Sequence, residues 1–130
     1  MRRLAAAVLL VLLSVSSVGA QRFPQATSHI STQTTTTVLT NSSTTKRLSI
    51  MAGSLCVDMG GATTSVTLQD SGGTNLFGSG VVWVIAAGSC LNFPYRGFYY
   101  GIRTGVGLNL QVVTGTGNGP VEVYLEVDQS

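Results

Sequence analysis

Residues 121–128 alternate without a break. Val121, Val123, Leu125 and Val127 are apolar, and Glu122, Tyr124, Glu126 and Asp128 stand between them. A repeat of two places successive side chains on opposite faces of an extended strand, so this segment has one buried and one wetted face. A buried helix would need apolar residues three and four apart. The same period recurs in Thr64, Val66 and Leu68 against Ser65, Thr67 and Gln69, and in Leu108, Leu110 and Val112 against Asn109 and Gln111. Glycine pairs at Gly60–Gly61 and Gly72–Gly73 and the glycines of 115–119 punctuate these runs. Strands at turn spacings of roughly ten residues predict an all-β sandwich or barrel.

The remaining elements are weaker in pattern. Residues 21–31 hold Phe23, Pro24 and His29 without periodicity and read as a flexible lead-in. Residues 32–40 are threonine-rich and β-branched and predict a first strand. In residues 46–58, Leu48, Ile50 and Ala52 share one parity while Leu55 and Val57 take the other, so Gly53 is expected to be a face-changing bulge. The apolar run 81–87, with Trp83 assigned to the core, predicts a central strand buried on both faces. Residues 88–93 hold Cys90, Leu91 and Phe93, residues 94–97 read as a corner, and residues 98–104 are aromatic and strand-like. About eight strands result, in one sandwich domain over 32–130.

Residues 1–20 have a different character. Arg2 and Arg3 precede an apolar stretch over 4–15, and small residues follow up to Gly19 and Ala20. This is the layout of a cleavable signal helix, with cleavage expected after Ala20. The stretch is shorter than the roughly 20 residues of a spanning helix, so no membrane association is expected after cleavage. The whole chain carries a formal charge of +2. Without the leader, Arg22, Lys46, Arg47, Arg96 and Arg103 are balanced by Asp58, Asp70, Glu122, Glu126 and Asp128. A balanced chain lacks the basic stripe of a nucleic-acid binder. Cys56 and Cys90 are the only cysteines. In an oxidising secreted, periplasmic or extracellular setting they predict one structural disulfide.

Several segments taken in order resemble a small β-sandwich family common among bacteriophage virion proteins. They are 34–39 followed by Lys46 to Ile50; Gly88 with Leu91, Phe93, Pro94, Tyr95, Gly97, Phe98 and Tyr99; Gly107, Leu108, Asn109 and Leu110; and the closing run 121–127 around Tyr124. The resemblance spans about residues 30–128 and rests on order and spacing rather than one motif. It implies a single jelly-roll-like antiparallel sandwich. It also implies a head-, tail- or fibre-associated structural role, often oligomeric, here in an exported version. It brings no catalytic residues.

The residues themselves offer few sites. His29 is the only histidine, and a catalytic triad or Cys–His pair would need it held beside a nucleophile. Zinc needs several His or Cys ligands, and none cluster in the sequence. Glu122, Glu126 and Asp128 lie too far apart along one strand to chelate calcium without another segment, and they read as a solvated face. No enzyme activity, cofactor or metal is therefore expected. Tyr95, Arg96 and Tyr99, with Phe98 and Tyr100, form the densest aromatic cluster. Exposed rings there would stack on sugars, and Arg96 would bind an acidic group. Asn41-Ser42-Ser43 is a glycosylation sequon. The leading expectation is a secreted, non-catalytic structural or assembly module that self-associates or meets a protein or glycan surface. The second is an extracellular carbohydrate- or cell-surface-binding module built on 94–100.

Overall fold

The computed structural model describes residues 25–31, 34–93, 102–115 and 120–130. Among these, the chain forms eight strands and no helix: β1 (Gln25–Ile30), β2 (Thr35–Leu39), β3 (Leu48–Val57), β4 (Thr64–Asp70), β5 (Trp83–Ile85), β6 (Cys90–Phe93), β7 (Leu110–Thr114) and β8 (Val121–Gln129). They build two four-stranded sheets, ordered β1-β8-β3-β6 and β2-β7-β4-β5. Every pairing is antiparallel. The all-β reading of the sequence holds.

The period-two segments bury the residues their parity dictates. Val121, Val123, Leu125 and Val127 of β8 and Leu55 and Val57 of β3 meet Val66 and Leu68 of β4 and Leu110 and Val112 of β7 in one core. Each such side chain removed from water contributes about 1.5–3 kcal/mol, an upper figure because unfolded chains already bury part of this surface.

In β3 the face does change, but at Met51. Ile50 pairs with Val127 and Ala52 with Glu126, so Met51 is the extra residue, and it is fully buried. The inserted residue flips the parity, which sends Leu48 and Ile50 before it and Leu55 and Val57 after it into the same core. Gly53 serves a different purpose. Its φ is +142°, and a Cβ there would sit 2.1 Å from the Tyr124 carbonyl oxygen. Only glycine lets the β8 backbone come this close.

Two expectations are corrected. Gln25–Ile30, read as part of a flexible lead-in, is strand β1, and it pairs with β8 from Gln25↔Glu126 to Ile30↔Val121. Ala26 and Ile30 face the core, but Ser28 lies between them, so the inward parity is not uniformly apolar. The apolar run 81–87 is not a central strand. Only Trp83–Ile85 is extended, at the edge of the second sheet, and Val82 and Val84 are exposed. Trp83 is half-buried and packs with Phe77 and Phe93, ring centroids 4.4 and 5.8 Å away. The corner expected at 94–97 and residues 98–101 of the strand expected at 98–104 lie outside the described part. Arg103 makes a single bridge to Ser49, flanked by bonds from Ile50 N to the Ile102 oxygen (3.0 Å) and from Thr104 N to the Leu48 oxygen (2.9 Å).

Side chains fix the loops. Asp70 is buried; its Oδ1 accepts from the Gly72 and Thr74 amides, both at 3.0 Å, and its Oδ2 from Gly105 N at 2.9 Å. Asn41 is half-buried. Its Nδ2 donates to the Lys46 carbonyl at 2.9 Å, and its Oδ1 accepts from Ser43 N at 3.0 Å and Gln129 Nε2 at 2.6 Å. Cys56 and Cys90, directly opposed on β3 and β6, form the expected disulfide with Cα atoms 4.0 Å apart.

Candidate functional site

The outer face of the first sheet collects the molecule's chemistry through strand register. His29 of β1 lies opposite Glu122 of β8, Glu122 opposite Cys56 of β3, and Cys56 opposite Cys90 of β6. These four residues form one line across the sheet. The next outward line runs Thr27, Tyr124, Ser54 and Asn92. An open groove of about 520 Å³ follows these lines, bordered by Thr27, His29, Ser54, Cys56, Glu122 and Tyr124.

At one end of the groove, His29 Nδ1 is hydrogen-bonded to Glu122 Oε1, with both side chains about half-exposed. Asp58 joins them from the turn after β3. Its backbone amide donates to the Pro120 carbonyl at 3.0 Å, which docks that turn against the start of β8. One ligand-capable atom from each of His29, Asp58 and Glu122 lies within 4.8 Å of the other two. Among the described residues, neither carboxylate pairs with a lysine or arginine. The hydrogen bond to Glu122 raises the His29 pKa above its usual value. The charge of Glu122 adds to this, desolvation opposes it slightly, and the charge of Asp58 raises it further.

In the middle of the groove, Tyr124 is 41% exposed. Its hydroxyl accepts from Gln25 Nε2 at 2.8 Å. A second, smaller slot of about 330 Å³ opens between β5 and β6, along Trp83, Ile85, Ala86, Ser89 and Leu91.

Of the sequence candidates, Cys56 and Cys90 are joined. Tyr95, Arg96 and Tyr99 lie outside the described residues. His29, Asp58 and Glu122, which the sequence reading left apart, converge in space. Glu122 does meet the second segment that the sequence reading required of it, on β1. The missed signal was faint: Gln25, Thr27 and His29 share the outward parity of β1, but nothing local pairs them with residue 122.

The disulfide fits an oxidising compartment. No helix among the described residues is long and apolar enough to cross a membrane. No family model, curated protein or solved structure matches the chain.

Proposed function

We propose that this chain is an exported, non-catalytic structural module of jelly-roll-like build that assembles with its own copies along the β1 and β2 side. The strand order supports the jelly-roll reading. β1 pairs with β8, β2 with β7, β3 with β6 and β4 with β5. That is the pattern of one long hairpin folded over on itself to make two sheets, as in sandwiches with paired Greek keys. Such folds serve capsids, lectins and enzymes alike, so the framework alone carries no function.

The observation that carries the assembly reading is the edge of β2. It is a terminal strand of its sheet, and its sequence, TTTVL, has no charge and no proline. The Thr34 carbonyl accepts from Thr114 N at 2.9 Å, so the alternation of an antiparallel ladder turns the backbone groups of Thr35 and Thr37 away from β7. Monomeric proteins usually blunt such an edge with lysine, proline or a bulge. Here a register shift interrupts the ladder only beyond Thr37. Export is supported by the amino-terminal sequence and by the disulfide.

Light scattering during size-exclusion chromatography, over a wide concentration series, tests this reading. Concentration-dependent growth that is lost in the T35K/T37K double variant is the expected result. A strict monomer at every concentration overturns it.

The second reading is glycan binding, favoured by the exposed Tyr124 in an open groove. Saccharide-induced shifts confined to the Tyr124 ring, and lost in Tyr124→Leu, would support it over assembly.

A further inference from the structure

We propose that His29, Asp58 and Glu122 form a binding site for one divalent transition-metal ion of the zinc type. The remaining coordination positions of the ion open into the groove. The site lies within one chain and needs no assembly. Three separate segments deliver the ligands: β1, the turn after β3, and the first outward position of β8. Their ligand atoms already lie within 4.8 Å of one another. Around a tetrahedral ion with bonds near 2.0–2.2 Å, ligand atoms sit about 3.4 Å apart. Rotation of the exposed His29 and Glu122 side chains toward the half-buried Asp58 would close that gap.

The donor set selects the metal class. The set has fewer His or Cys ligands than the sequence reading required of zinc, but carboxylate oxygens also bind zinc and its neighbours, whereas calcium prefers an all-oxygen shell of six to eight ligands. Charge argues the same way. With His29 neutral, Asp58 and Glu122 place two negative charges side by side, and no lysine or arginine of the described residues pairs with them. A divalent ion neutralises both. Three protein ligands leave at least one position for water or an incoming donor, the arrangement that distinguishes open zinc sites from closed structural ones. Tyr124, Thr27 and Ser54 line the groove into which that position opens.

Isothermal titration of the disulfide-intact chain with zinc chloride tests the site. One equivalent per chain is expected, with millimolar calcium failing to displace it. Each of His29→Ala, Asp58→Asn and Glu122→Gln should weaken binding at least about tenfold, judged from the 10–100-fold losses seen even when only a ligand's supporting partner is changed. The circular-dichroism spectrum should stay put, because His29 and Glu122 are exposed and Asp58 is only partly buried. Substituting cobalt should broaden amide signals around residues 29, 58 and 122 and leave β5 and β7 sharp. No uptake of zinc would overturn the proposal. So would uptake that the three variants leave unchanged, since that would mark an adventitious ion bound elsewhere.

Discussion

The two open sides of this sandwich are held by different means. On one side, β5 and β6 are strands of three and four residues. There the Cys56–Cys90 bond ties β6 to β3, and Phe77, Trp83 and Phe93 pack across the gap between the sheets. On the other side, β1 and β2 run for six and five residues, and no disulfide or ring cluster among the described residues spans them. Their attachment rests on ladder hydrogen bonds and on inward residues such as Ala26 and Ile30. Short edges can be spared backbone partners if covalent and aromatic contacts replace them. The longer edges hold by ladder register and a few inward side chains.

Removing the disulfide strikes the first side hardest. The C56A/C90A variant frees a segment of sequence separation 34 in the unfolded chain and should lose about 3–4 kcal/mol in urea unfolding. Amide exchange should rise in β6 before β1; equal rises on both sides would remove the distinction. Phe93→Ala should cost about 2 kcal/mol, less than a fully buried phenylalanine because the ring is only half-buried. The loss should show as a lower unfolding midpoint, with Trp83 emission shifted to the red. On the β1 and β2 side, T35K/T37K should change monomer stability by less than about 0.5 kcal/mol while abolishing self-association. A large loss of stability there would mean the edge was already packed.

The smallest effect concerns His29. In chelator-treated protein, NMR titration should place its pKa above the ordinary value of about 6.5, and Glu122→Gln should bring it down. Asp58→Asn should lower it less, because the charge of Asp58 is the weaker influence. The sign for stability follows. A histidine whose pKa is raised on folding adds stability in full below its unfolded value near 6.5, and that stability is lost as pH rises through the higher folded value.

How far the sequence revealed this depended on whether a position was decided locally. Strands β4, β7 and β8 were legible because alternation states which face is buried, and the turns between them carry their glycines openly. The face change in β3 was legible, but its residue was not. Glycine signals a bulge, yet Gly53 is required by the close β8 backbone, while Met51 occupies the bulge as a buried side chain. The run at 81–87 misleads because hydrophobicity does not by itself mean burial: Val84 is 71% exposed. β1 was hidden because an edge strand needs only one good inward pair, here Ala26 and Ile30. The His29, Asp58 and Glu122 group was out of reach for a different reason. Its members meet only because the last strand pairs with both the first and the third, and the His29–Glu122 contact alone spans 93 positions of sequence.

Asn41 is the chain's only N-x-S/T sequon, and the fold has already committed both hydrogens of its amide nitrogen, to the carbonyls of Lys46 and Leu108. An oligosaccharide transferred to that nitrogen in a eukaryotic secretory pathway would have to arrive before the 41–46 loop closes, and it would then prop that loop open. Sugar attachment and loop closure are thus rivals in time. In such a host, the intact mass of the secreted product would show which came first, and the correctly closed molecules should be the bare ones.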